Sequence, residues 1–91
     1  MIEIPAHICF TESDEGGIIL DLESDLFYSL DTMATDMWKL IVKHGDITKV
    51  CESMFSEYDS TYNEIQSMVQ NYIDHLCECR LISIRVDGGE R

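Results

Sequence analysis

From Gly17 to Leu40 the chain carries two short runs with apolar residues at every second position, followed at once by apolar residues at helical spacing. In the first run Ile18, Leu20 and Leu22 share one face and Ile19 and Asp21 the other. In the second, Leu26, Tyr28 and Leu30 alternate with Phe27 and Ser29. Successive side chains of a strand point to opposite faces, so this alternation predicts strands over Gly17–Leu22 and Leu26–Leu30. Glu23, Ser24 and Asp25 form the turn between them. Upstream, His7–Thr11 alternates in the same way, with Ile8 and Phe10 on one face and His7 and Cys9 on the other, and Pro5 suits a strand start. The acidic TESDEGG stretch reads as the turn into the second strand, with Gly16-Gly17 supplying the positive φ of a tight hairpin. Three strands on short turns make an antiparallel meander, whose last strand is expected at an edge.

The period changes at Asp31. Ala34, Met37, Trp38 and Ile41 lie on one face of a helix that Asp31 or Thr32 caps and that stops near Gly45. A second helix follows, capped by Asp46 or Thr48, with Val50, Cys51, Met54, Phe55 and Tyr58 inward. After the Asp59-Ser60 break, Thr61 and Glu64 have the spacing of a capping box. The third helix runs roughly from Thr61 to Cys79, about 28 Å at 1.5 Å per residue. Val69, Ile73 and Leu76 form its core stripe, and Ile65, Met68, Tyr72 and His75 widen the apolar surface beyond what one helix-on-sheet contact requires. Leu81–Val86 alternates over the length of a stub strand. The chain thus reads as one α+β domain over 1–86 with a frayed tail over 87–91: a three-stranded antiparallel sheet followed by three helices, in the manner of a winged helix-turn-helix.

Composition narrows the function. The chain has 91 residues, a size at which folding buries roughly 60–65% of the unfolded surface. Eighteen Asp and Glu against six Lys and Arg give a net charge of −12. Such a surface repels polyphosphate and anionic lipid, so nucleic acid and membrane are not expected partners. A winged-helix regulator of nucleic acid needs a basic recognition face. Here the second helix sets Lys49 against Glu52 and Glu57, and the third sets Arg80 against Glu64, Asp74 and Glu78. No apolar run approaches the ~20 residues of a membrane span. MIEIPAHICF lacks the basic start of a secretory signal. The expected location is the cytoplasm, and the four cysteines, Cys9, Cys51, Cys77 and Cys79, read as reduced thiols.

Catalytic chemistry finds no foothold. His7, His44 and His75 are scattered, no cysteine sits in a nucleophile setting, and phosphate-loop and HExxH motifs are missing. Cys77 and Cys79 point about 200° apart on a helix and cannot readily chelate one metal. No metal, no cofactor and no enzymatic activity are expected. An edge strand beside a wide apolar helix face suits instead the capture of a peptide by β-augmentation, in which backbone pairing supplies affinity and a groove reads alternate side chains.

The residues carry a resemblance along almost the whole chain, about Ile8 to Ile82. Phe27-Tyr28 runs to Leu30-Asp31, and Thr32 to Trp38 follows the pattern L-N-x-x-[AG]-x-x-[IVM]-W. Ile47-Thr48 opens the second helix and Tyr58 closes it. Val69, Ile73 and Leu76 precede a final Leu81-Ile82, and Gly17 with Ile18 to Asp21 and Leu22 looks like the stretch G-x-[VI]-L-L-D-x. In this order the pieces resemble the PqqD-like recognition elements for precursors of ribosomally made, modified peptides, and the glycine-led stretch resembles the stand-alone lasso-peptide subgroup. Asp31 stands where that family usually has Asn, and Asp25 and Arg80 stand where Gly is common.

The resemblance implies a protein that binds the leader of a precursor peptide and delivers it to a transglutaminase-like leader peptidase and an asparagine-synthetase-like macrolactam cyclase. A recognition partner of a radical-SAM or other modifying enzyme is the alternative. The leader is expected to lie antiparallel to the third strand, pairing with the backbone from Leu26 through Phe27 and Tyr28 to Ser29. Its apolar side chains are expected against Met68, Tyr72, His75 and Cys79 of the third helix, with Phe27 and Tyr28 contributing from the strand.

Overall fold

Alternation and capping place the elements almost where the sequence puts them. A computed structural model describes residues 1–84. Its elements are β1 (Ile2–Glu3), β2 (Ile8–Ser13), β3 (Gly16–Asp21), β4 (Leu26–Leu30), α1 (Thr32–His44), α2 (Ile47–Glu57), α3 (Tyr62–Glu78) and β5 (Ser83–Ile84). Strands β2, β3 and β4 form an antiparallel sheet in that order, leaving β4 at an edge. The fold is α+β, a three-stranded antiparallel sheet followed by three helices.

The register sorts the side chains into rows. Phe10, Ile19 and Tyr28 stand side by side across the three strands, as do Cys9, Leu20 and Phe27 one position along. The first row faces the helices: Ile19 is fully buried, and Phe10 and Tyr28 pack against the core. Trp38 of α1 lies beneath it with its ring centroid 6.1 Å from that of Phe10. The second row faces out. Burying a large apolar side chain contributes about 1.5–3 kcal/mol, so the row that includes Ile19 and the Trp38 contact anchors the sheet on α1. Met37, Ile41, Val50, Met54, Ile65, Val69, Ile73 and Leu76 complete the core between the helices.

The helix ends are closed as expected. Asp31 Oδ1 accepts the Ala34 N–H at 2.8 Å, Asp46 Oδ1 accepts that of Thr48 at 2.8 Å, and Thr61 and Glu64 form the reciprocal capping box. Gly45, at φ 63°, ends α1 by donating to the Ile41 carbonyl. At the end of α3, Leu81 N–H bonds the Leu76 carbonyl and Arg80 N–H that of Cys77, the two bonds of a Schellman motif. That motif puts Arg80 at φ 62°. Asp25, in the β3–β4 turn, has the same φ of 62°. Both positions at which the resemblance leads one to expect Gly are therefore left-handed.

Four details differ from the sequence reading. The hairpin between β2 and β3 is tighter, because Ser13 pairs with Gly16 and Glu12 with Gly17, leaving only Asp14-Glu15 as the turn. Gly16, at φ 140°, is needed for close approach, since a Cβ there would collide with the Leu30 carbonyl of the neighbouring strand. Gly17, expected to share the positive φ, does not have one and instead makes room for the Phe10 ring. Phe55 is not inward: it is 45% exposed and stacks edge-on against Tyr62 of α3 at 5.4 Å. The expected stub strand is Ser83–Ile84, and it pairs with Ile2–Glu3, a strand too short for alternation to announce. Arg85, Val86 and the expected tail 87–91 lie outside the described residues.

Candidate functional site

Strand β4 offers an unpaired backbone edge because the chain leaves it directly for α1, and among the described residues no further strand joins the sheet beside it. Asp31 makes that exit abrupt by ending the strand and capping the helix in one residue. Helix α3 faces the same edge, so a pocket of about 310 Å³ opens between them. Tyr28, Ser29, Leu30 and Asp31 line it from the strand, Ala34 from the first turn of α1, Tyr72, His75 and Leu76 from α3, and Leu81 from beyond the helix. Three larger depressions lie elsewhere, one around Met1, His44 and Ile47, one around Pro5, His7 and Cys77, and one along Gln66, Ser67, Gln70 and Asn71. None includes a residue of β4, so the smaller pocket is the one joined to an open strand edge.

The pocket brings together four of the eight residues singled out from the sequence: Tyr28, Ser29, Tyr72 and His75. The other four sit apart from it. Leu26 and Phe27 belong to the β4 edge through their backbone, but their side chains are 56% and 67% exposed, and Phe27 points to the opposite face of the sheet. Met68 is partly buried against the core one turn before Tyr72, and Cys79 lies one turn beyond His75 with Sγ 3.8 Å from Nε2. The sequence reading missed Leu30, Asp31, Ala34, Leu76 and Leu81. For Ala34 a signal existed: a small residue one turn before Trp38 leaves space between α1 and α3 where a longer side chain would fill it.

Tyr72 spans the pocket floor. Its hydroxyl donates to the Ala34 carbonyl at 3.0 Å. Burial, with Asp31 nearby, pushes the phenol well above its ordinary pKa of 10.0, so Tyr72 stays neutral and a donor. The lining is apolar and aromatic, with His75 and Ser29 at the exposed rim. Such a site can take an apolar or aromatic side chain projecting from a strand laid along β4.

At the other end of β4 the turn is held by Asp21. Its carboxylate accepts the Glu23 N–H at 2.9 Å and that of Ser24 at 3.3 Å, with His7 Nε2 3.8 Å away. Burial works to raise the Asp21 pKa, but the hydrogen bonds from Glu23 and Ser24 and the His7 ring outweigh it, and the carboxyl sits below its ordinary value. Among the described residues no group of three or more His, Cys, Asp or Glu is placed to hold a metal ion. No described helix is long and apolar enough to cross a membrane.

Comparison with known proteins adds three findings. A family model described as coenzyme PQQ synthesis protein D (PqqD) matches residues 16–82. No curated protein matches the chain. Among solved structures, TbiB1 in complex with the TbiA(β) leader peptide is similar with a TM-score of 0.86 at 15% identity, covering 93% of this chain and 99% of that one. A lasso peptide synthetase B1 complexed with the leader peptide is similar with a TM-score of 0.83 at 17% identity, covering 91% of this chain and 98% of that one. At these identities the two structures establish a shared fold.

Proposed function

The chain belongs to the PqqD family, and we propose that it captures the leader segment of a ribosomally made precursor peptide in lasso-peptide synthesis. The observation that carries this reading is the unpaired β4 edge lying directly beside the Tyr28–Ala34–Tyr72 pocket. The leader adds a fourth strand antiparallel to β4 over Leu26–Ser29, satisfying the backbone groups that the edge leaves open. It sets one apolar or aromatic side chain into the pocket, with Met68, His75 and Cys79 flanking it on α3. Two structures of the same fold, each solved with a leader peptide, support the reading. The protein acts by binding: it holds the precursor for a transglutaminase-like leader peptidase and an asparagine-synthetase-like macrolactam cyclase, and does no bond chemistry itself.

The test is a titration of the fluorescein-labelled leader of the precursor encoded beside this protein, read by anisotropy. Saturable binding is expected, with a large loss on Tyr72→Glu, which puts a carboxylate into the apolar floor. A leader that fails to bind the folded protein, or that binds Tyr72→Glu as tightly as the parent, overturns the assignment.

A further inference from the structure

Asp31 is the only Asp, Glu, Lys or Arg among the residues that line the pocket between β4 and α3. Its carboxylate is held in place, because Oδ1 accepts the Ala34 N–H at 2.8 Å. Oδ2 accepts no hydrogen bond from a described residue, and the carboxylate forms no ion pair among them. The described cations are elsewhere. Lys39 is paired with Glu12, Lys43 is in the last turn of α1, Lys49 lines the depression at Met1 and Arg80 the one at His7. Asp31 is exposed, so solvent reaches the second oxygen while the edge is open.

We propose that Asp31 selects leaders that carry a Lys or Arg two residues before the side chain seated in the pocket, and rejects an acidic residue there. The proposal rests on the function given above and names the leader chemistry that the site takes. Register supplies the position. In a strand antiparallel to β4, the residue opposite Tyr28 continues the inward row of Phe10, Ile19 and Tyr28 and enters the pocket. The residue opposite Leu30 comes two positions earlier in the leader and points to the same face. Leu30 and Asp31 line that end of the pocket, so the earlier side chain arrives beside the carboxylate.

Desolvation supplies the sign. A leader strand laid on the edge takes solvent away from Oδ2. A carboxylate covered without a partner costs free energy, whereas one met by a cation in less polar surroundings is held more strongly than in water. The pocket itself has no partner to offer. The Tyr72 hydroxyl proton goes to the Ala34 carbonyl, and His75 sits at the rim with Nε2 3.8 Å from the Cys79 Sγ. The Asp31 charge also reaches the pocket floor, where it adds to burial in raising the Tyr72 pKa. The cation therefore comes from the leader. Discrimination has two sources, attraction of Lys or Arg and repulsion of Asp or Glu.

The test uses the full chain and three fluorescein-labelled versions of the leader encoded beside this protein, read by anisotropy. They carry Lys, norleucine or Glu two residues before the apolar or aromatic residue that an alanine scan of the leader identifies as its anchor. The parent is expected to bind the Lys version about fivefold more tightly than the norleucine version, and the Glu version more weakly than either. The Lys preference is expected to shrink with added salt. Asp31→Asn keeps a side-chain oxygen for the Ala34 N–H, so its thermal midpoint is expected to stay near that of the parent. This variant is expected to bind the Lys and norleucine versions equally. Equal binding of all three versions by the parent, or a Lys preference that survives in Asp31→Asn, overturns the proposal and leaves leader capture standing. If no version binds the parent, leader capture itself fails and the proposal falls with it.

Discussion

The Tyr72 hydroxyl donates a 3.0 Å hydrogen bond to the Ala34 carbonyl, pinning the middle of α3 to the first turn of α1 beside the open edge of β4. One bond thus fixes the floor of the pocket and the angle at which the long helix faces the strand. Tyr72→Phe removes only that bond and is expected to cost about 1 kcal/mol of stability. Its effect on leader affinity should be much smaller than that of Tyr72→Glu. Urea titrations of both variants, followed by leader binding, separate the structural role of the hydroxyl from the apolar character of the floor.

Arg80 closes α3 at φ 62°, a conformation that costs an L-residue with a Cβ and costs Gly little. Arg80→Gly is expected to raise stability by about 0.5–1 kcal/mol, and Asp25→Gly by less, since Asp tolerates this region. Trp38, the single tryptophan and 1% exposed, reports the unfolding midpoint by fluorescence. A lower midpoint for Arg80→Gly would contradict the backbone argument.

Gly16→Ala is the converse case. The position combines φ 140° with a Cβ that would strike the Leu30 carbonyl. β3 and β4 must separate to admit it, and a loss of more than about 2 kcal/mol is expected. The same separation disturbs the strand that carries the open edge, so leader affinity should fall in parallel with the unfolding midpoint.

The Asp21 carboxyl holds the β3–β4 turn, and its folded pKa lies below the ordinary 3.8. A depressed carboxyl contributes stability above its unfolded pKa and loses it as pH falls through the folded one. Asp21→Asn should therefore be less stable than the parent at neutral pH, with the gap closing below pH 3.8. Paired urea curves at neutral and acid pH measure that gap; a constant gap would show that charge on Asp21 is irrelevant to the turn.

Tyr58, at the end of α2, donates to Asp36 Oδ2 of α1 at 2.8 Å. That bond, followed by burial and the nearby carboxylates, pushes the phenol up to about 12 from 10.0. A raised pKa contributes stability that is complete below pH 10 and lost as pH climbs toward 12. The parent should lose its advantage over Tyr58→Phe across that window, which thermal melts at a series of alkaline pH values would detect.

Local signals in the sequence are strong where one residue meets a backbone requirement. Asp31, Asp46 and the Thr61–Glu64 pair cap the helices as their spacing says, because a cap needs only a side-chain oxygen two or three residues from an open N–H. The left-handed positions were legible through the resemblance, which marks Asp25 and Arg80 as places for Gly. Half of the expected site residues converge on one pocket. Phe27 does not: Tyr28 takes the inner face, Phe27 and Ser29 the outer one, and of these two only Ser29 reaches the pocket rim. Phe55 misled because a helix can extend its apolar stripe into solvent where another aromatic, here Tyr62, shields one side.

By itself the sequence determined the order of the three sheet strands and three helices, their caps, the meander with β4 last, and a net charge of −12. Tertiary structure decided which side of the sheet is covered. Alternation gives a strand two faces and does not say which one meets the helices. The side with Ile18, Leu20 and, just past β3, Leu22 carries more apolar residues, yet Ile19 is the one buried, because Phe10 and Tyr28 flank it in one row and Trp38 fits beneath. Contacts between residues far apart in the chain make that choice. It also leaves one apolar face of the sheet open beside the edge of β4.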